Sequence, residues 1–456
     1  MERLGLEEVI QACGATPYNC DAVKQVTGIT TDSRKLQPGD MFVALKGEKF
    51  DGHEYAQAAI SNGAAVVLSQ QELDSTVPYL KVKDTLSALH DLAKFYKSKF
   101  NIPFVAVTGS SGKTTTKDML ASVLSEKFRV LKTEGNYNNA IGLPLTLFRL
   151  EKGHEIGVLE MGMNSLGEIE LLADIVRPDA GVITNVGTAH IENLKSRENI
   201  LKAKTEMFTY FNEKNTAVVN GDNDMLQKLD NMPYKIIRYG LESQNHCRAE
   251  NIVEKGEAGT DFEVLYQGER AAYHVPMPGI HNVYNALSAI CIGMLYGLSQ
   301  EQINAGLAKF KPSKMRMEIF QGKFNTKVIN DAYNANPDSM MAAINVIAGM
   351  ESAGRRVCIL GDMFELGEFA EEGHQKVGRF AVQNKVDVIL AVGKMASETI
   401  KGASMSGNNQ LLYCFDSNEE VIDSLQGIIK EKDTILIKGS RGMHMESIVE
   451  SLREGR

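Results

Sequence analysis

Phe104-Val105-Ala106-Val107-Thr108 runs directly into Gly109-Ser110-Ser111-Gly112-Lys113-Thr114-Thr115-Thr116. The first block reads as a strand buried on both faces, and the second as a small-residue loop that opens a helix. Such a strand belongs in a parallel sheet covered by helices, so this junction restricts the chain to α/β architectures. It also builds an anion site. Gly109 and Gly112 permit close backbone approach, and the N–H groups of the loop and helix start can face phosphate oxygens. Lys113 supplies charge and Thr114 a hydroxyl for magnesium. The loop is shorter than the usual G-x-x-x-x-G-K-[ST], because Val107 stands where its first glycine would be. Gly109, Ser110, Ser111, Gly112, Lys113, Thr114 and Thr115 are read as a nucleotide-phosphate cradle; the alternative is a plain glycine turn capped by threonine.

Downstream, short Val- and Ile-rich runs alternate with helix-length amphipathic segments, the rhythm of βαβ units. Strands are expected at 104–108, 156–160, 180–184 and 217–220, giving a doubly wound, mostly parallel sheet. The rhythm breaks between 247 and 278, where 264–266 and 273–275 flank Gln267-Gly268-Glu269 as a hairpin would, so a small antiparallel patch is expected there. Helices follow at 281–296 and 299–310, and Pro312 marks a boundary. A second βα series, with strands at 328–330, 357–360, 386–392 and 434–438, forms a Rossmann-like C-terminal α/β domain. The first hundred residues carry apolar runs at 41–45 and 64–68 and a helix at 85–100, a small N-terminal α/β domain. The expected division is 1–84, 85–312 and 313–456.

The 49 basic and 58 acidic residues give a net charge of -9 without a long basic run, which argues against a nucleic-acid partner. The acidic start lacks a signal-peptide core and no apolar run reaches membrane-spanning length, so a cytoplasmic protein with no membrane partner is expected. Six scattered cysteines without metal-ligand spacing read as reduced thiols.

Three further residues stand out. Glu160 ends an apolar strand and His190 follows one, both at carboxyl ends where such sheets place ligands. Lys204, in a helix expected at 199–210, shares a face with Ile200, Leu201, Met207 and Phe208, so it points inward. Lys202 is expected to form a solvated pair with Glu206 one turn on.

With these residues on the page, the chain resembles the Mur ligase superfamily of ATP-dependent, amide-forming enzymes, whose short T-G-x-x-G-K-T-T loop is matched at 108–115. The likeness runs through Thr133-Glu134-Gly135-Asn136-Tyr137-Asn138-Asn139, Glu160-Met161-Gly162, Asn185-Val186-Gly187-Thr188-Ala189-His190 and Gly279-Ile280-His281-Asn282-Val283-Tyr284-Asn285. Asn330-Asp331-Ala332-Tyr333-Asn334-Ala335-Asn336-Pro337-Asp338-Ser339-Met340, Leu360-Gly361-Asp362-Met363-Phe364-Glu365-Leu366-Gly367 and Lys438-Gly439-Ser440-Arg441-Gly442-Met443 resemble the branch that adds a dipeptide.

The resemblance implies catalytic roles for Lys113 at the phosphates, for Thr114, Glu160 and His190 at magnesium ions, and for Lys204 as a carbamylated lysine beside the second metal. It implies ATP contacts from Asn282, Asn285, Arg316 and Asp331, the asparagines at the adenine. Substrate contacts are implied for Asp32, Ser33, Arg34 and Lys46 at a uridine nucleotide, and for Asn138, Asn139, Tyr333, Asn334 and Asn336. The implied partners are UDP-N-acetylmuramoyl-tripeptide, D-alanyl-D-alanine and ATP, joined by a monomer in peptidoglycan precursor synthesis, with a hinge at 311–314. A sister ligase with another amine substrate and an ATP-hydrolysing switch are the alternatives.

Overall fold

The computed structural model describes residues 1–407 and 409–454. The strand Phe104–Thr108 lies inside a nine-stranded sheet, with all five residues buried. Val130–Lys132, Ile156–Glu160, Phe104–Thr108, Ala180–Ile183, Thr216–Asn220, Lys235–Gly240 and Cys247–Glu254 neighbour one another in that order, all parallel. Chain order reverses at Phe104–Thr108, since the next strands in sequence lie on one side and Ala180–Ile183 on the other. Such a reversal opens a crevice at the carboxyl end of the strand, where Gly109 begins.

The expected antiparallel patch forms within the central sheet. Cys247–Glu254, Thr260–Tyr266 and Glu269–Val275 continue the central sheet to its edge. The hairpin turn is two residues rather than three, because Tyr266 pairs with Glu269. Gln267 and Gly268 carry the positive φ angles of 52° and 87° that such a tight turn requires.

The C-terminal sheet orders Glu318–Gly322, Thr326–Asn330, Thr434–Lys438, Arg356–Gly361, Val388–Val392 and Leu411–Phe415, parallel except for its first strand. The N-terminal sheet runs Thr16–Tyr18, Tyr79–Lys81, Val66–Ser69, Asp40–Val43, Gly28–Thr30. Three α/β units result, the architecture expected from the sequence.

Helices fix the central sheet from behind. Lys113–Leu124, which leaves the phosphate loop, packs against Ile280–Leu295 and Gln300–Lys309. A Cβ at Gly306 would strike the Val123 backbone, so only glycine permits this closeness. One expected pair does not form. The helix carrying Lys204 spans Arg197–Thr205 and gives way to a 3-10 turn at Glu206–Phe208. Glu206 is thereby turned from Lys202 and accepts instead from the N–H groups of Gly167 (2.8 Å) and Glu170 (3.3 Å). Among the described residues, no helix is long and apolar enough to cross a membrane.

Candidate active site

The helix Lys113–Leu124 starts at Gly112, whose φ of 79° favours glycine and whose missing side chain leaves the first helical N–H groups without a side-chain cap. Uncapped donors and the helix dipole make this an anion site. Gly109 is required for a second reason, because a Cβ there would overlap the Thr184 hydroxyl. Asn185 braces the loop: its Oδ1 accepts the N–H groups of Ser110 at 3.1 Å and Ser111 at 3.0 Å. Lys113 Nζ donates to the Gly109 carbonyl at 2.8 Å, and burial holds its pKa below the usual lysine value.

Glu160 ends its strand 2% exposed. Asn138 donates to its Oε1 at 2.8 Å, while Oε2 is buried without a partner. An orphaned carboxylate oxygen beside a phosphate loop that carries the Thr114 hydroxyl fits a hard divalent cation, which binds oxygen donors. No cluster of three or more His, Cys, Asp or Glu side chains forms among the described residues. That suits magnesium, which usually takes one or two carboxylates and completes its shell with phosphate and water. Lys204 is 1% exposed, and Ile200, Met207 and Phe208 of the same segment are buried as well. Burial first, then the Lys113 charge, holds its pKa well below the ordinary value. An inward amine was expected, and burial disfavours its charged form.

The opposite wall comes from the C-terminal unit. Arg316 donates to the Thr114 hydroxyl at 3.0 Å and stacks on the Tyr333 ring at 4.3 Å. Asp331 is paired with Lys438, whose Nζ lies 2.5 Å from Oδ2 and 2.9 Å from the Asn334 carbonyl. His190, in the left-handed region at φ 63°, places Nδ1 2.6 Å from Glu365 Oε2 without the alignment of a hydrogen bond. The result is a polar cleft of about 420 Å³ between the two units, lined by the phosphate loop, Glu160, His190, Arg316, Asp331 and Lys438. His281 also lines it, its pKa pushed down to about 4 by burial, so it faces the cleft uncharged at neutral pH.

Comparison with known proteins agrees with this geometry. Residues 107–293 match the Mur ligase middle domain, 315–441 the Mur ligase glutamate ligase domain, and 25–97 the catalytic domain of the Mur ligase family. The UDP-N-acetylmuramoyl-tripeptide--D-alanyl-D-alanine ligase of Bacillus subtilis (strain 168) is 38% identical over 98% of this chain and 97% of its own length. The chain belongs to the Mur ligase family. Within it the chain is of the MurF type: a crystal structure of MurF from Acinetobacter baumannii superposes with a TM-score of 0.91 at 32% identity, covering 99% of both chains. MurF from Thermotoga maritima, solved in complex with ADP, superposes at 0.83 with 28% identity, over 93% of this chain and 97% of that one.

Against this Mur ligase frame the expected residues divide into three groups. Ser110 to Thr115, Asn138, Asn139, Glu160, His190, Asn282, Asn285, Arg316, Asp331, Tyr333, Asn334 and Asn336 all line the one cleft. Several of these have their side chains engaged by the fold. Asn336 caps the helix Pro337–Gly349, Asn139 accepts the Gly142 N–H, and Asn282 and Asn285 join a buried network with the Thr116 hydroxyl. Lys204 is buried and is not among the residues lining the cleft. Asp32, Ser33, Arg34 and Lys46 lie in the N-terminal unit, outside the cleft. There Arg34 grips Asp32 at 2.8 Å and draws its carboxyl down to about 2, while the Arg34 side chain stays 86% exposed.

Asn185, Lys438, Asp338 and Glu365 were not singled out from the sequence. Lys438 was findable, since it ends the apolar strand Thr434–Lys438 as Glu160 ends its own. The other three act through contacts that no local pattern encodes.

Proposed function

We propose that the cleft joins D-alanyl-D-alanine to UDP-N-acetylmuramoyl-tripeptide at the expense of ATP, giving the pentapeptide, ADP and phosphate for peptidoglycan precursor synthesis. The observation that carries it is convergence: Lys113 and Arg316, from two different units, meet at the Thr114 end of a phosphate loop beside the orphaned oxygen of Glu160. The tripeptide carboxylate attacks the γ-phosphate, and the resulting acyl phosphate is attacked by the dipeptide amine. Charge then grows on the transferred phosphoryl group and on the tetrahedral oxygen. Lys113 and Arg316 are placed to stabilise it electrostatically. Magnesium held by Thr114 and Glu160, with His190 at a second ion, would supply further charge neutralisation when bound. A cleft roofed by the C-terminal unit keeps water from the acyl phosphate.

Finer assignments belong to the same proposal. His281, Asn282 and Asn285 form the adenine wall, and Asp331 meets the ribose. Asn138 and Asn139 face the muramoyl peptide, and Tyr333, Asn334 and Asn336 the substrate on the C-terminal side. Asp32 to Arg34 and Lys46 receive the uridine nucleotide on unit 1–84, while units 85–312 and 313–456 close on ATP about 311–314. Carbamylation of Lys204 by carbon dioxide belongs to the same reading: that chemistry needs a neutral amine, and burial shifts Lys204 in that direction. The enzyme is proposed to act as a cytoplasmic monomer.

The test is phosphate release with UDP-N-acetylmuramoyl-tripeptide and ATP, with and without D-alanyl-D-alanine, and mass detection of product. Dipeptide-dependent phosphate release with pentapeptide is expected. Dipeptide-independent hydrolysis without an amide product would overturn the proposal.

A further inference from the structure

Segment 185–190 touches two structures at once. Toward the phosphate loop, Asn185 accepts from Ser110 and Ser111 as described, and Gly187 N–H donates to Ser110 Oγ at 2.9 Å. Toward the C-terminal unit, Thr188 N–H donates to Asp338 Oδ2 at 3.3 Å and His190 meets Glu365 at 2.6 Å. The Glu365 carbonyl accepts the Glu192 N–H at 3.2 Å just beyond. His190 and Glu365 both sit at φ 63°, an uncommon conformation for either residue type, held on each side of one interface.

Gly187 sits at the centre of these contacts. Its backbone is outside the left-handed region, so its own conformation does not demand glycine. A Cβ there would nevertheless run into the Asp338 carboxylate. The close approach of the C-terminal unit, not the backbone conformation, is what sets position 187 against a larger side chain.

We propose that segment 185–190 is a relay through which seating of the C-terminal unit, by Asp338 and Glu365, fixes Ser110 and Ser111 of the phosphate loop. Asp338 and Glu365 are then positioning residues, acting through Gly187, Thr188 and His190 rather than on substrate. The segment is physically continuous between the two sites, as coupling requires, and docked against undocked supplies the two states. Its use is to delay acyl-phosphate formation until the cleft is roofed. This inference rests on the ligase reading.

The test compares the full chain with Gly187→Ala, Asp338→Ala and the double variant. The readouts are kcat, KM for each substrate, and compaction by small-angle scattering on adding ADP with magnesium. Gly187→Ala is expected to lower kcat about tenfold or more and to abolish compaction, with KM for the UDP-tripeptide held within about twofold. Asp338→Ala removes the obstacle, so the double variant regains compaction and its kcat loss is smaller than the product of the two single losses. Multiplicative losses, or a Gly187→Ala protein with parental kcat and compaction, would overturn the relay. Should melting show Gly187→Ala unfolded, Asp338→Asn substitutes for it: lowered kcat at constant KM supports the relay, and parental kcat refutes it. A parent chain that compacts but makes no pentapeptide would instead count against the ligase reading.

Discussion

Replacing Lys204 by methionine should make the protein more stable and inactive. The side chain is 1% exposed, and burial is the first cause of its lowered pKa, with Lys113 adding to it. Methionine keeps an unbranched chain of similar length and discards the amine. Taking a polar group out of water costs about 1–3 kcal/mol in mutational data, so Lys204→Met should gain about that in carbon-dioxide-free buffer near neutral pH. The sign of the pH dependence follows from the direction of the shift. Between the depressed folded pKa and the ordinary value of 10.5, the unfolded chain binds a proton that the folded chain lacks. Parent stability therefore rises with pH across that window, and the advantage of the variant narrows. On the proposed carbamylation, bicarbonate should narrow it too, because a carbamate formed only in the folded state would act as a bound ligand. Urea unfolding followed by far-UV circular dichroism suits a chain without tryptophan. A variant no more stable than the parent, or a gap that does not shrink as pH rises, would refute the reasoning.

Asn185→Ala leaves the Ser111 N–H without its acceptor, and Ser110 with only the residue-185 carbonyl, and should cost about 1–3 kcal/mol of ADP binding, read by titration calorimetry; unchanged affinity would contradict the bracing role. Arg316→Lys keeps the charge but loses the planar group stacked on Tyr333, so it should fail to restore the activity lost in Arg316→Ala, as initial rates will show. Asp433→Ala breaks a buried pair with Arg355 (2.7 Å, Asp433 side chain 1% exposed) and should destabilise the C-terminal unit by about 3–5 kcal/mol. Hydrogen exchange should then rise in strands Thr326–Asn330 and Arg356–Gly361 and stay at parental levels in Phe104–Thr108.

What could be read in the chain beforehand was whatever a dozen neighbouring residues encode. The strand at 104–108, the short phosphate loop, Glu160 at a strand end and the inward face of Lys204 all follow from local periodicity and backbone chemistry. Strands that break the apolar pattern escaped. Lys235–Gly240 opens on an exposed lysine, and Leu411–Phe415 is a half-exposed edge with no fully buried residue. The expected Lys202 pair failed because the helix ends one residue too early, a boundary that propensity does not place.

The sequence by itself determined the kind of chemistry: a phosphate-binding loop, its lysine and threonine, and an acid at the neighbouring strand end. Only the tertiary structure decided how that chemistry is enclosed. Arg316 reaches Thr114 across 202 residues, Asp338 reaches Thr188 across 150, and Lys438 meets Asp331 across 107. Contacts at such separations have no local periodicity to betray them, because packing of whole units, not the residues' own neighbours, brings the partners together.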